Sequence, residues 1–259
     1  PYTGAWQYVN CPWTTWGNSI EFPNKGLQFI SGASLDNNSY TVIKLGRGLY
    51  ATASGVFADD DGTFEFIGTN QANINLGGGN ALPGIKINKT GTSVVLSTNA
   101  VICRDLIVQS GNFNSNNYQL TVKGNWINNV GASGYNCGTS EVIFDTAIYS
   151  ATITGNQTFY KLGFNHTDPA KGIAMNGSIS TVSNDLTVSS GRFALDGSSV
   201  LQVNGNVSVV NTALLYLQGE LKLKGNLTDD NGIVNSVRGF YAPQGSLLTL
   251  NGTSTQVIN

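Results

Sequence analysis

The sequence carries little charge. Its 259 residues include 13 Lys and Arg against 15 Asp and Glu, which gives a formal net charge of -2. Nucleic-acid backbones and anionic membrane surfaces are recognised by clustered cations, whereas the cations of this chain are scattered singly along the sequence. The composition therefore disfavours both kinds of partner.

Long apolar runs are also missing. A membrane-spanning helix needs about 20 consecutive apolar residues, whereas the apolar stretches of this chain are only a few residues long. We therefore expect no membrane insertion. The sequence begins at Pro1 without a signal peptide, which favours either a mature exported form or a fragment of a longer protein.

Cysteine is scarce, and its count excludes a disulfide framework. The three cysteines are Cys11, Cys103 and Cys137, so at least one of them has no partner within the chain. One bridge, for example between Cys11 and Cys137, fits this count, and so do buried free thiols. The two alternatives stay open at this point.

Residues with catalytic or ligand-binding chemistry are few. His166 is the only histidine, and without a second ligand or a nucleophile elbow nearby we interpret it as an exposed corner residue. Asp59–Asp61 and Asp229–Asp230 lead into glycines, as turns do, and lack calcium-loop spacing. Calcium at these loops remains an alternative. Gly77–Asn80 lacks the Lys and Ser/Thr of a phosphate-binding loop. From these observations together we expect no catalytic residue, no cofactor and no metal site.

A recurring apolar–any–apolar code is the strongest positive signal in the chain. It marks one short strand per repeat, and most successive pairs lie 20 to 24 residues apart, with short steps of about 15 at two places. The pairs are Ile20/Phe22, Ile43/Leu45, Phe64/Phe66, Ile85/Ile87, Leu106/Val108, Leu120/Val122, Val142/Phe144, Leu162/Phe164, Leu186/Val188, Leu201/Val203, Leu221/Leu223 and Leu248/Leu250.

A period of this length predicts a solenoid, in which each turn buries its apolar face against the next. The near-copies that start at Leu201 and Leu221 set the repeat at about 20 residues. The segments between the pairs hold Gly, Asn, Ser and Thr without helical periodicity. We predict an all-β, right-handed, single-stranded parallel β-helix of roughly 12 coils that forms a single domain over residues 1–259.

The code also predicts how side chains are arranged around each coil. The residue between each apolar pair should point outward, and the first four of these, Glu21, Lys44, Glu65 and Lys86, alternate in sign. They suit a ladder of cross-strand charge pairs. Glycines two places after a pair should turn the chain with positive φ, and asparagines near them should bond from coil to coil. These glycines are Gly68, Gly124, Gly205, Gly225 and Gly252.

Three segments resemble the repeat regions of large bacterial surface and adhesin-like proteins. They are Gly138–Phe144, Ala151–Leu162 and Asp185–Gly191, and the resemblance extends over about residues 60 to 259. It implies a secreted scaffold displayed at the cell surface. Such repeats share no catalytic motif, so the resemblance assigns no functional residue.

The first 30 residues differ from the rest in their aromatic content. Trp6, Tyr8, Trp13 and Trp16 lie within eleven residues. Exposed aromatic faces can stack on sugar rings, and bulky aromatics can equally cap the open apolar end of a first coil. We interpret residues 1–30 as a Trp/Tyr-rich cap or strand segment and keep carbohydrate binding as the alternative role of these four side chains.

Together these observations predict a non-catalytic extracellular structural or adhesive protein. Because the chain stops in the middle of a repeat, it should associate end to end into a filament or matrix, or adjoin further repeats of a longer chain. A carbohydrate-binding surface module is the first alternative, with polysaccharide as the partner. A polysaccharide-degrading β-helix enzyme is the second.

Overall fold

The fold is all-β, as the sequence predicts. The computed structural model describes residues 6–9, 12–16, 19–30, 33–38, 41–51, 56–57, 62–77, 80–102, 104–145, 150–166, 168, 172–231 and 238–259. For residues 6–9, 12–16, 37–38 and 101 it describes the backbone alone. One short 3₁₀ turn, Ala132–Gly134, accompanies the strands in this described part.

Each turn of the chain contributes strands to three faces, which we call A, B and C in the order the chain visits them. Face A contains Trp6–Val9, Gly26–Phe29, Leu49–Ala51, Ala72–Leu76, Tyr135–Asn136, Thr158–Phe159, Ile179–Val182, Val200–Val203, Glu220–Leu223 and Leu247–Leu250. Face B contains Pro12–Trp16, Ser34–Asn38, Ala81–Leu82, Ala100–Ile102, Leu120–Val122, Glu141–Phe144, Lys161–Asn165, Leu186–Ser190, Val207–Val209 and Leu227–Asp229. Face C contains Ile20–Phe22, Val42–Leu45, Thr63–Gly68, Trp126–Asn128, Ala151–Thr154, Gly172–Asn176, Arg192–Leu195, Leu214–Leu217 and Gly239–Tyr241.

Two long strands join faces C and A. Ile85–Leu96 and Leu106–Asn114 each begin on face C and end on face A, so the chain rounds this corner without leaving the sheet. Single-residue parallel bridges extend face B, where Phe57 pairs with Leu35 and Ile258 pairs with Leu227. The described strands pair in parallel, each with a strand one turn away, which is the arrangement of a β-solenoid.

The apolar pairs of the sequence lie on all three faces. Nine of the eleven steps between successive pairs are full turns, because the residues at each end pair directly in the same sheet. The two short steps, from Leu106 to Leu120 and from Leu186 to Leu201, instead lead to another face. The number of coils therefore differs slightly from the expected roughly 12. Leu201 does pair with Leu221, so the 20-residue repeat itself is confirmed.

Inward side chains form columns because equivalent residues pair from turn to turn. On face C one column runs through Ile43, Phe64, Ile85 and Leu106, and all four are fully buried. Burial of each such side chain stabilises the fold by about 1.5–3 kcal/mol. No single turn could form this core, since each of these four side chains is covered by the turns above and below it.

The predicted charge ladder is present on face C. Lys44 Nζ lies 3.7 Å from Glu21 and Lys86 Nζ lies 3.1 Å from Glu65, and Lys44 also pairs in register with Glu65. The Lys44–Glu21 pair is partly exposed, and such pairs contribute about 0.2–1 kcal/mol, whereas the Glu65 side chain of the second pair is only 8% exposed. The ladder helps to hold the register of the first coils.

Polar side chains at the corners bond from turn to turn, as expected. Asn206 Oδ1 accepts from the Asn226 amide at 2.9 Å, and Asn226 Oδ1 accepts from the Val257 amide at 2.9 Å. At the corner before face C, Asp105 Oδ1 accepts from the Asn125 amide at 2.9 Å. These side chains satisfy backbone donors where the strands end, which lets the chain turn without burying unpaired amides.

The glycines after the apolar pairs are needed mainly for space, and this corrects the expectation of positive φ. Of the five, only Gly68 has a positive φ, at 79°. A Cβ on Gly225 would lie 2.3 Å from the Gly205 carbonyl oxygen, and one on Gly252 would lie 2.2 Å from the Lys224 carbonyl oxygen. Successive turns thus approach backbone to backbone at this corner.

We expect Gly225→Ala to lower the free energy of unfolding by about 1–3 kcal/mol, because the added methyl group must push two turns apart. Urea denaturation followed by circular dichroism measures the change. Gly197→Ala is the matched control, because a Cβ there meets only the Gln218 carbonyl oxygen at 4.0 Å. Equal stability of the two variants would show that close approach does not govern this corner.

Candidate functional site

The structure stacks the N-terminal aromatic segment onto the solenoid. Trp6–Val9 pairs in parallel with Gly26–Phe29 on face A, and Pro12–Trp16 pairs with Ser34–Asn38 on face B. The side chains of Trp6, Tyr8, Trp13 and Trp16 lie outside the described part. Their role as an end cap or as a sugar platform therefore stays a prediction.

His166 is buried, which corrects its interpretation as an exposed corner residue. Its exposed fraction is 1%, and its ring centre lies 6.3 Å from that of Phe164. The physical reason is strand alternation: Phe164 points inward and Asn165 outward, so the next residue points inward again. Gly191 covers it, since a Cβ there would lie 2.5 Å from the imidazole. The histidine is therefore part of the packed interior.

Cys137 carries a free thiol that is half-buried, and burial raises its pKa. Cys11 and Cys103 lie outside the described residues. The Cys11–Cys137 bridge therefore stays a prediction.

The carboxylates of the second acidic cluster, Asp229–Asp230, accept hydrogen bonds from backbone amides near the turn. Asp229 accepts hydrogen bonds from the backbone amides of Asn231 at 3.1 Å and Phe240 at 2.7 Å, and Asp230 accepts from the Asn211 amide at 3.2 Å. The first cluster, Asp59–Asp61, lies outside the described residues. Within the described part, no group of three or more His, Cys, Asp or Glu side chains is placed to hold a metal ion.

No helix among the described residues is long and apolar enough to cross a bilayer.

Lys89 is a buried cation near the corner between faces C and A. Its exposed fraction is 1%, and Nζ donates to the carbonyl oxygens of Gly46 at 2.8 Å and Ile67 at 2.6 Å. Burial, and to a smaller extent the neighbouring charge of Arg47, lower the Lys89 pKa to about 8. The ammonium ties three turns together through backbone carbonyls, which is a structural role.

A groove lies on face C of the outer surface, among the described residues. It has a volume of about 350 Å³ and crosses the strands Ala151–Thr154, Gly172–Asn176 and Arg192–Leu195. Its floor is a row of small side chains, Thr152, Ala174 and Ala194, which pair in register from turn to turn. The floor is flat and largely apolar because these outward positions carry little more than methyl groups.

Polar side chains form two rims along this floor. Ser150, Gly172 and Arg192 lie on the side where the strands begin, and Asn176, Asp196 and Gln218 lie on the side where they end. Arg192 and Gln218 are exposed. The groove thus offers hydrogen-bonding groups on both sides of an apolar strip.

A stacked row of side chains closes one end of the groove. The Arg192 guanidinium lies over the Tyr216 ring, with Cζ 4.4 Å from the ring centre. The Tyr241 ring follows at 5.5 Å from that of Tyr216. Gly172 leaves room for Arg192, because a Cβ on Gly172 would lie 2.9 Å from the Arg192 Cβ. The guanidinium is therefore held in place by a cation–π contact worth about 0.5–1 kcal/mol at an exposed site.

Asp196 is the acidic side chain of the groove, and its carboxylate is engaged locally. Ser199 Oγ donates to it at 2.7 Å, Ser198 Oγ at 3.0 Å and the Gly177 amide at 3.2 Å. Partial burial tends to raise the Asp196 pKa, but these hydrogen bonds outweigh it and hold the pKa below its usual value. The residue stays ionised at neutral pH and fixes the corner after the strand.

The sequence did not single out this groove. Its residues come from successive turns, and they meet only when the register of face C is known beyond Leu106. From that point the apolar pairs lie on face B and then on face A, so they do not mark the outward positions of the later face C strands. Their signal is the outward row Thr152, Ala174, Ala194, Tyr216 and Tyr241, at intervals of 20 to 25 residues.

Comparison with protein-family models, curated proteins and solved structures found no match for this chain.

We expect Lys89 to make the fold more stable as pH rises from 7.5 to 9.5. The folded pKa of about 8 lies below the ordinary lysine value of 10.5, so between these values the unfolded chain binds the proton and the native chain has lost it. Unfolding then becomes less favourable as pH rises.

The Cys137 thiol opposes this trend, because its raised pKa makes the unfolded chain lose its proton first. The difference between wild type and Lys89→Met therefore isolates the lysine. Urea midpoints at each pH should show a more positive slope for wild type. Identical slopes for the two proteins would mean that Lys89 is protonated throughout this range.

Proposed function

We propose that this chain is a non-catalytic extracellular structural or adhesive solenoid that acts as a subunit of a cell-surface filament or matrix and assembles end to end. The observation that carries this proposal is the apolar edge of its last turn. Leu250 and Ile258 are 45% and 54% exposed, although they pair with Leu223 and Leu227, which are buried one turn before. Leu247, at an outward position of the same last strand, is 53% exposed.

The geometry of this edge supports stacking by a further turn. Leu247–Leu250 pairs on one side with Glu220–Leu223, and no described strand pairs with its other side. A strand edge presents alternating backbone donors and acceptors that a parallel strand of another copy can pair with. At the opposite end, Trp6–Val9 likewise pairs on one side only within the described part. One end can therefore pair with the other in a head-to-tail arrangement, which gives a filament.

The resemblance to adhesin-like surface repeats supports an extracellular location for such an assembly. Low charge and an outer surface of Asn, Ser, Thr and Gly suit a display scaffold. Adjoining repeats of a longer chain would use the same edges, and the association of the isolated chain distinguishes the two arrangements.

A carbohydrate-binding surface module is the second candidate. The face C groove favours it, because an apolar floor between polar rims matches the two kinds of surface of a sugar ring. The third candidate, a polysaccharide-degrading enzyme, has less support. Glycoside hydrolysis typically uses two carboxyl groups separated by about 5–9.5 Å, whereas the groove offers the carboxylate of Asp196 alone among its lining residues.

We expect the purified chain to form concentration-dependent linear oligomers in sedimentation velocity and rods in negative-stain micrographs. Replacing Leu247 and Leu250 together by Lys should shift the oligomers to monomers, because charged side chains at an edge oppose strand pairing. The control is Ile179→Lys, which changes an isoleucine that is 64% exposed within face A, away from the last strand.

Three outcomes would contradict the assembly proposal. The wild-type chain would sediment as a monomer at every concentration, the double Lys variant would assemble like wild type, or Ile179→Lys would disrupt assembly equally. A melting temperature measured for each variant ensures that the solenoid is folded in all comparisons.

A further inference from the structure

We propose that the face C groove binds a neutral, linear polysaccharide chain, whose sugar rings lie on the floor of Thr152, Ala174 and Ala194. This inference rests on the carbohydrate-binding candidate described above and names its site and ligand class. It does not involve the N-terminal aromatic side chains.

The floor selects for a flat ligand with one apolar surface. Ala174 and Ala194 pair directly, and Thr152 precedes them in the same row, so the three positions span about 10 Å at roughly 4.8 Å per strand. A pyranose ring presents C–H groups on its face and hydroxyls around its edge. The face of such a ring can cover this strip and exclude water from it.

The rims supply partners for the hydroxyls. Arg192 donates N–H groups from one side, and the amides of Asn176 and Gln218 can both donate and accept on the other. Neither amide side chain is hydrogen-bonded to another described residue, so both are available to a ligand. Sugar hydroxyls need donors and acceptors together, which this combination provides.

Charge on the rims favours a neutral chain over an acidic one. Arg192 is the cation of the groove and Asp196 its anion, and they stand on opposite rims, so their fields largely cancel over the floor. An acidic polysaccharide would meet one attractive and one repulsive group. Hydrogen bonding and ring contact then decide affinity, and both depend little on salt.

The site is preorganised at its closed end. Arg192 is fixed against Tyr216, and Tyr216 packs against Tyr241, so a ligand does not have to order the guanidinium when it binds. Reduced ordering cost is a main source of affinity in shallow sites.

Other ligand classes fit the groove less well. An extended peptide gains affinity by pairing with a sheet edge, whereas the floor is a sheet face whose backbone groups are already paired. A nucleic acid requires several cations along its backbone, and the groove has one. The polar rims are poorly suited to a lipid surface.

Isothermal titration of the full chain with cellohexaose, xylohexaose, mannohexaose and hexagalacturonate tests the proposal. At least one neutral hexasaccharide should bind, with the same affinity in about 0.05 M and about 0.5 M NaCl, since a neutral ligand is insensitive to screening. Ala174→Leu should fill the floor, and Arg192→Ala should remove the fixed donor. Each should weaken binding by about tenfold or more.

Two matched controls separate the groove from the rest of the surface. Thr181→Leu adds a leucine to an outward position of face A, and Lys224→Ala removes an exposed cation that does not line the groove. Both should bind as wild type, and all four variants should keep the wild-type circular dichroism spectrum.

The proposal fails if no neutral hexasaccharide binds, if hexagalacturonate alone binds, or if Ala174→Leu and Arg192→Ala bind as well as wild type. Sedimentation of the same proteins keeps the two proposals distinct. Filaments without saccharide binding would overturn only the groove, and saccharide binding by a strict monomer would overturn only end-to-end assembly.

Discussion

In-register parallel pairing between neighbouring turns is the interaction on which the whole structure depends. When Leu201 pairs with Leu221, and Ile43 with Phe64, inward side chains stack into columns that no single turn could bury. A shift of one residue would move every inward side chain of a strand to the outside. The register therefore decides the core and the outer surface together.

Corners preserve this register by restricting what can occupy them. Gly225 lies against the Gly205 carbonyl, and the Asn206 and Asn226 side chains bond to backbone amides one turn away. Both features stabilise the stacking of equivalent residues and would be lost if the register of two turns shifted. The buried Lys89 does the same over a longer span, because its two carbonyl partners belong to two earlier turns.

The register also decides which outward side chains become neighbours on face C, and these differ between its early and later parts. The early part of face C carries the Glu and Lys ladder, while its later part carries small residues that lead to the Tyr216 and Tyr241 pair. The first part stabilises the stack and the second leaves an open groove. The two proposed interactions therefore use different surfaces: end-to-end pairing uses the edge of the last turn, and ligand binding uses the outer side of face C.

The sequence by itself determined the all-β solenoid, the 20-residue repeat and the asparagine bonds at the corners, because these follow from patterns repeated within one stretch of chain. The inward position of His166 also follows from the sequence, because His166 comes two residues after the inward Phe164 and side chains alternate along a strand. The expectation of an exposed histidine did not take this alternation into account. What the sequence could not decide is which strands share a face. A short step between apolar pairs can mean either a shorter turn or a move to another face. Only the strand pairing of the folded chain shows which of the two occurs. That pairing brings Thr152, Ala174 and Arg192 into one groove, because residues from different turns become neighbours only through the register of the sheet.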